Sequence, residues 1–333
     1  MLPKIIILAT GGTIVSSGSS PVQTTGYSIQ DIRAEDIADA IPTLRDMADI
    51  EVHTVASIDS SSITFDIWKS LLAALEEYAA REDVRGIVVM HGTDTMEETA
   101  FFMNLTVKTH KPIVFTGAMR PATAISADGA LNLFNAVCLA ASQKTSGHGV
   151  VIAMNGMFLS ARDATKTNTV SVETFQSRLT GFMGTIIGED IDLLSLPAKP
   201  HTADTVFSSE QINKLPCLPR VDIVYGFADG DSNVLKASRE SGPDAIVVAA
   251  PGHGTLSKQM EAEVLRAIDQ GIVVCRASRT GSGAVIAGLS RWQKASVLFA
   301  RTLNPQKVRI LLQLGLAKYG KNKSQLQSLI DMY

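Results

Sequence analysis

The feature that most constrains the fold is a series of short aliphatic runs, each followed by a turn and then by an amphipathic segment. We predict strands at 4–9, 86–90, 112–115 and 149–153 and helices at 65–81 and 128–142. Runs that are apolar throughout are typical of strands buried on both faces of a parallel sheet. Their alternation with helices predicts an α/β fold in which helices flank a mostly parallel sheet.

A proline-rich, polar segment interrupts this pattern, which then restarts with predicted strands at 221–225, 245–250 and 271–275. A chain of 333 residues is typical of two domains. We therefore predict two α/β domains joined by a linker, with a lid over the site in the first. The ranges are 1–195 for the larger N-terminal domain, 14–30 for its active-site lid, 196–219 for the linker, and 220–333 for the smaller C-terminal domain with its own parallel sheet.

Composition and charge argue against several classes of function. The net charge is only −3 and there is no block of Lys or Arg, so we expect no nucleic-acid partner. No apolar run approaches the roughly 18 residues of a membrane span, so we expect no membrane partner. Three widely spaced cysteines, Cys138, Cys217 and Cys275, suggest neither a disulfide framework nor a metal site. No signal peptide precedes the first strand, so we expect a cytoplasmic chain, or a periplasmic one if it begins at a mature N-terminus.

Two threonine motifs directly follow predicted strands, TGGTI at 10–14 and HGTDTMEET at 91–99. Ligands of open α/β sheets bind beyond the carboxyl ends of the strands, where these motifs would lie. The sequence contains no Gly-x-Ser-x-Gly elbow and no His-Glu-x-x-His motif, which leaves threonine as the candidate nucleophile. From the residues alone, 10–14 could still be only a tight turn, and Asp94 could merely favour a helix N-terminus. Lys166 could be an ordinary solvated side chain.

Four further stretches follow in order: GAMRP at 117–121, SADG at 126–129, RDATKTNT at 162–169 and TLNPQK at 302–307. Together the six motifs resemble the bacterial L-asparaginase family, in its type II-like form, along essentially the whole chain. The resemblance implies two α/β domains and hydrolysis of the side-chain amide of L-asparagine, with L-glutamine as a weaker substrate. It implies no metal and no organic cofactor, and a homotetramer assembled as a dimer of dimers.

The resemblance also implies catalytic roles for five residues. Thr13 would attack the amide carbon to form an acyl-enzyme, and Tyr27 of the lid would hydrogen-bond Thr13. Thr93, Asp94 and Lys166 would form a second triad, in which the ammonium and the carboxylate tune the threonine hydroxyl. A lysine beside a carboxylate can relay a proton, so this arrangement is chemically reasonable.

Substrate contacts follow from the same resemblance. Ser60 would bind the α-carboxylate and Asp94 the α-ammonium, while the carbonyl of Ala118 would accept from the amide nitrogen and the N–H of Thr93 would serve the oxyanion. Ser61 and His253 depart from the family, which usually has Gln or Glu at the first position and Asn or Ser at the second.

The segment 285–292 also lacks the glutamate that some homologues lend from a neighbouring subunit. We hypothesise weaker ammonium recognition, since a lost charge-assisted hydrogen bond costs about 1.5–3 kcal/mol. Two alternatives stay open at this point. One is a non-catalytic amino-acid-binding protein on the same scaffold. The other is the amidase subunit of a tRNA-dependent amidotransferase, which usually carries an extra N-terminal domain; the first predicted strand begins at residue 4, which argues against this alternative.

Overall fold

The computed structural model describes residues 2–12, 14, 16–17, 20–23, 28–29, 41–288 and 290–333. Thr13, Tyr27 and much of the predicted lid lie outside these residues. The chain divides into two compact units, Met1–Lys214 and Leu215–Tyr333. The domain limits drawn from the sequence stay predictions. The range predicted as a linker contains a 3-10 turn at Thr202–Asp204 and a short helix.

The first unit is built on an eight-stranded sheet. The strands of this unit are β1 (Lys4–Ala9), β2 (Ser16–Ser17), β3 (Ser28–Ile29), β4 (Asp49–Thr54), β5 (Val84–Met90), β6 (Ile113–Thr116), β7 (Val150–Met154), β8 (Met157–Ser160), β9 (Thr165–Lys166), β10 (Phe175–Gln176), β11 (Gly184–Ile187) and β12 (Asp190–Leu193). The order across the large sheet is β12-β11-β8-β7-β6-β5-β1-β4. Five neighbouring strands are parallel to one another: β4, β1, β5, β6 and β7. Strands β8, β11 and β12 extend the sheet beyond β7 in antiparallel fashion.

Helices cover this sheet because its central strands are apolar on both faces. The helices of the unit are α1 (Pro42–Met47), α2 (Phe65–Ala80), α3 (Met96–Thr106), α4 (Gly129–Ala141) and α5 (Ser209–Asn213). Ile5 and Ile7 belong to one buried cluster with Leu133 and Val137 of α4. Ile6, which points to the opposite face, is also fully buried. Each such side chain contributes about 1.5–3 kcal/mol by leaving water.

The strand order places a topological switch point between β1 and β5. After β1 the chain adds β4 on one side, and after β5 it adds β6 on the other. Crossovers that leave neighbouring strands in opposite directions open a crevice at the carboxyl ends of those strands. Both threonine motifs begin at this edge, one after Ala9 and the other after Met90.

The second unit repeats the α/β principle on a smaller scale. Its strands are β13 (Val221–Tyr225), β14 (Ala245–Ala250), β15 (Val273–Ser278) and β16 (Leu298–Phe299), all parallel and adjacent in chain order. Its helices are α6 (Asn233–Glu240), α7 (Lys258–Asp269), α8 (Ser290–Lys294), α9 (Pro305–Tyr319) and α10 (Lys323–Met332). The second sheet has its own core, in which Ile246 and Val248 cluster with Val264 of α7.

The predicted fold class is confirmed by these two sheets. The cysteines Cys138 and Cys275 are buried, and desolvation raises the pKa of both thiols, that of Cys138 to about 11. Within the described residues, no helix combines the length and the apolar character that crossing a membrane requires.

Candidate active site

Close contact between the two threonine motifs depends on glycine. Gly11 and Gly12 have φ angles of 103° and 98°, which side-chain-bearing residues rarely adopt. A Cβ on Gly12 would overlap the Gly92 backbone, and a Cβ on Gly11 would overlap the Ile58 backbone. The turn after β1 therefore packs directly against the turn after β5.

Ser60 is attached to this same edge by a second link. The hydroxyl of Thr95 donates a 2.7 Å hydrogen bond to the carbonyl of Ser60. Thr95 is the N-cap residue of α3, but its side chain makes no capping hydrogen bond because it is directed to Ser60 instead. Ser60 Oγ lies 2.8 Å from the position that a Cβ would occupy on Gly92. The buried hydroxyl of Ser60 is therefore close to the turn that carries Thr93.

Lys166 joins Thr93 and Asp94 across more than 70 residues of sequence. Its Nζ donates to Thr93 Oγ1 at 2.9 Å and to Asp94 Oδ1 at 2.6 Å. The Lys166 side chain is 15% exposed and that of Asp94 is 70% exposed, while Thr93 is buried. The ammonium thus connects a buried hydroxyl to a carboxylate that faces solvent. A hydroxyl oxygen that accepts from an ammonium is stabilised if it loses its proton, since the charge is already opposed.

The loop that contains Ala118 is held by Asp128. The Asp128 carboxylate accepts from the backbone N–H of Met119 and of Arg120, each at about 3.0 Å, and from the side-chain amide of Asn132. Asn132 also donates to the carbonyl of Gly117. These bonds fix the backbone on both sides of Ala118, which is itself buried.

His91, the first residue of the second motif, contacts the backbone of that motif with its ring. Its ring is fully buried, and Nδ1 lies 2.7 Å from the carbonyl oxygen of Gly92. Desolvation lowers the pKa of His91 to about 4, so the ring is neutral at pH 7. In the neutral tautomer that donates from Nδ1, Nε2 is a bare acceptor, and it has no hydrogen-bond partner in the described chain. His91 therefore fixes the Gly92 peptide without adding charge.

Of the other predicted residues, Ser61 is exposed in the 3-10 turn Ser60–Ser62. His253 is exposed in the second unit, where its Nε2 accepts from the backbone N–H of Ile286 at 3.2 Å. Thr13 and Tyr27 lie outside the described residues, although Gly12 and Ile14 are described. Across the described ranges, no group of three or more His, Cys, Asp or Glu side chains is arranged to hold a metal ion.

Sequence reasoning missed two residues, Glu97 and Thr165, which hydrogen-bond to one another beside Lys166. Glu97 accepts from the Thr165 hydroxyl at 3.0 Å and from the backbone N–H of Lys166 at 3.4 Å. In the sequence, Glu97 resembled an ordinary acidic residue in the first turn of a helix. The available signal was its place just before the apolar run at 100–103 in α3, a helix most of whose residues prove to be buried.

Comparison with known proteins extends the resemblance to both units. The family model described as "Asparaginase, N-terminal" matches residues 4–199, and "Glutaminase/Asparaginase C-terminal domain" matches residues 220–330. L-asparaginase 2 of Bacillus subtilis is 42% identical over 317 residues, which cover 95% of this chain and 83% of that protein. A glutaminase-asparaginase of Pseudomonas fluorescens biotype A is 37% identical and covers 100% of this chain and 91% of its own length.

A solved structure gives the same result. The crystal structure of a probable cytoplasmic L-asparaginase from Campylobacter jejuni aligns with a TM-score of 0.93 and 40% identity, covering 99% of both chains. Family models that together match nearly the whole chain, and relatives at these identities, establish the family. The protein with this crevice between β1 and β5 therefore belongs to the asparaginase family.

Proposed function

We propose that this protein is an L-asparaginase that releases ammonia from the side chain of L-asparagine through a threonine acyl-enzyme. The observation that carries the proposal is the pair of hydrogen bonds from Lys166 Nζ to Thr93 and Asp94 at the carboxyl end of β5. The names of the relatives, L-asparaginase 2 and glutaminase-asparaginase, support asparagine as the substrate. We propose L-glutamine as a second, weaker substrate.

The proposed reaction has two stages. The Thr13 oxygen attacks the amide carbon, the C–N bond breaks, and nitrogen leaves as ammonia with the proton that the hydroxyl gave up. The ester that remains is then attacked by water, which yields L-aspartate and restores the hydroxyl. In this proposal Tyr27 hydrogen-bonds Thr13, and the N–H of Thr93 donates to the oxyanion.

In this proposal the second triad, Thr93, Asp94 and Lys166, controls the charge on the Thr93 hydroxyl. The Lys166 ammonium opposes negative charge that develops on Thr93 Oγ1, and Asp94 keeps that ammonium in place. Because Asp94 is largely exposed, its second oxygen is available for the α-ammonium of the substrate. Ser60 would receive the α-carboxylate, and the Ala118 carbonyl would accept from the amide nitrogen. Ser61 would leave the ammonium with fewer partners than the Gln or Glu that the family usually has at that position.

Ammonia release from L-asparagine and from L-glutamine tests this proposal, with Thr13→Ala and Thr13→Ser as a matched pair. We expect Thr13→Ala to lose nearly all turnover and Thr13→Ser, which keeps a hydroxyl, to retain a measurable rate. Release by Thr13→Ala at the wild-type rate would refute the threonine mechanism. Calorimetric binding of asparagine without ammonia release would instead favour the amino-acid-binding protein.

The proposal includes a homotetramer built as a dimer of dimers. Light scattering coupled to size-exclusion chromatography measures the mass of the assembly directly. A species of four chains is expected, and a stable active monomer would contradict the proposal.

A further inference from the structure

Glu97 is a buried carboxylate three residues after Asp94. Its side chain is about 5% exposed, and it lies in the first turn of α3. Its Oε2 accepts from the Thr165 hydroxyl and its Oε1 from the backbone N–H of Lys166. A buried carboxylate requires such donors, since burying a charge without hydrogen bonds is strongly unfavourable.

Both donors belong to β9, the strand that carries Lys166. This strand is two residues long and pairs with β10, outside the eight-stranded sheet. The backbone hydrogen bonds of the large sheet therefore do not fix the position of β9. The segment that follows β5 instead holds Lys166 at both ends: Glu97, in the first turn of α3, binds its backbone, and Thr93 and Asp94, in the loop before α3, bind its ammonium.

Helix-dipole stabilisation alone does not account for these contacts. A carboxylate in the first turn gains about 0.3–1 kcal/mol from the helix dipole at an exposed position. Glu98, the next residue, occupies the same turn and is only half-buried. Glu98 alone could provide the negative charge that interacts favourably with the helix dipole, without the burial of a second carboxylate. The full burial of Glu97 is explained by the strand that it binds.

We infer that Glu97, together with Thr165, is a positioning residue that sets the approach of the Lys166 ammonium to Thr93. This inference rests on the proposed function for its effect on rate. A misplacement of about 1 Å in a catalytic group can lower the rate by about 100-fold. Glu97 and Thr165 touch Lys166 rather than the substrate site, so they should affect kcat more than KM.

Thr165 offers a matched pair of variants. Thr165→Val removes the hydroxyl that donates to Glu97 at nearly constant volume, whereas Thr165→Ser keeps it. We expect Thr165→Val to lower kcat about tenfold with KM within twofold, and Thr165→Ser to stay within threefold of wild type. Glu97→Gln should lower kcat by roughly 30-fold. The substitution replaces one carboxylate oxygen by an NH₂ group, which cannot accept a hydrogen bond and would face the donor that the oxygen served. Glu98→Gln makes the same charge change in the same turn and should have little effect.

A double-mutant cycle separates positioning from general destabilisation. If Thr165 acts through Lys166, Thr165→Val should have almost no further effect on kcat in a Lys166→Met background. Equal fold-losses in both backgrounds would overturn the inference. So would a rise in KM at unchanged kcat, or a loss confined to thermal stability.

A second readout does not depend on turnover. Amidination of Lys166 by methyl acetimidate, followed by peptide mass spectrometry, reports how firmly its ammonium is held. The labelling rate should rise severalfold in Thr165→Val and Glu97→Gln and stay at the wild-type value in Thr165→Ser and Glu98→Gln. Unchanged labelling in the first two would overturn the inference even if the enzyme proved to act on another substrate. Failure of the proposed function would show separately, as ammonia release by Thr13→Ala.

Discussion

The two sheets use cations of low exposure in different ways: Lys166, beside the first sheet, is half-buried, and Arg276, in the second, is buried. At the first sheet, Lys166 binds the side chains of Thr93 and Asp94. At the second, the guanidinium of Arg276 on β15 gives its hydrogen bonds to the backbone carbonyls of Gly254, Ile286 and Ala287.

The surroundings of Arg276 fit a structural role. It is buried, it lies 5.4 Å from the centre of the Trp292 ring, and desolvation lowers its pKa. A cation directed at side chains can act on reacting groups, whereas one directed at carbonyls fixes the shape of loops. The loops that Arg276 holds include the one that carries His253.

The largest effect expected from this comparison is on turnover. Lys166→Met removes the ammonium but keeps a long, flexible side chain. We expect kcat for ammonia release to fall about 1,000-fold, near 4 kcal/mol, because general acid–base groups typically contribute 100- to 10,000-fold. Lys69→Met, which breaks an ion pair with Asp66 on the surface of α2, is the control and should keep the wild-type rate. Full activity in Lys166→Met would contradict the comparison, because Lys166 would then have no role in turnover that distinguishes it from Arg276.

Arg276→Met should act mainly on stability. It leaves three carbonyl acceptors without their charged donor, so we expect the free energy of unfolding of the second unit to fall by about 3 kcal/mol. Urea unfolding monitored by tryptophan fluorescence in a Trp68→Phe background, in which Trp292 is the remaining tryptophan, measures this change. Arg279→Met removes an exposed arginine three residues further along and should change stability by no more than about 0.5 kcal/mol. A loss of kcat in Arg276→Met as large as that in Lys166→Met, with stability unchanged, would show that Arg276 is not structural.

His91 gives a smaller effect that depends on pH. Its pKa is about 4 in the folded chain, below its ordinary value of 6.5, so the unfolded chain binds more protons between these values. The contribution of His91 to stability is therefore complete above pH 6.5 and is lost as pH falls towards 4, by about 2 kcal/mol at pH 5. His91→Asn keeps an N–H for the Gly92 carbonyl but does not titrate.

Urea unfolding at pH 7.5 and pH 5.0 tests this effect. The wild type should lose about 2 kcal/mol more than His91→Asn over that interval. Parallel losses in the two proteins would mean that His91 is not the buried neutral base described above.

The smallest expected effect concerns substrate affinity. Ser61→Gln restores an amide at the position where the family usually has Gln or Glu, and one added hydrogen bond to the α-ammonium is worth about 1.5 kcal/mol. We expect KM for asparagine to fall about tenfold while kcat changes little. Ser62→Gln, at the neighbouring exposed serine, is the control. An unchanged or raised KM in Ser61→Gln would contradict the hypothesis of weakened ammonium recognition.

Periodicity located most of the parallel strands of the two sheets well, although it missed β4 and β16. The predicted strands at 4–9, 221–225 and 245–250 coincide with β1, β13 and β14. The run at 271–275 was placed too early, because the strand continues from Val273 to Ser278 through Arg276. A charged residue ends an apolar run in the sequence, yet the bonds of Arg276 to carbonyls let the strand bury it. The antiparallel strands β8, β11 and β12 were not predicted, since short strands of mixed burial give little periodic signal, unlike the equally short but wholly buried β6.

The sequence by itself determined the fold class and the motifs that flank the crevice, because these depend on residue type and on neighbours close in the chain. The contacts of Lys166 with Thr93 and Asp94 are made only in the tertiary structure, and the sequence indicated them through the family resemblance rather than through any local pattern; the tertiary structure alone decided that Glu97 is buried against β9. Those contacts span about 70 residues. No local pattern distinguishes a lysine that will meet a buried hydroxyl from one that will meet water, since the partner is supplied only when distant strands pack.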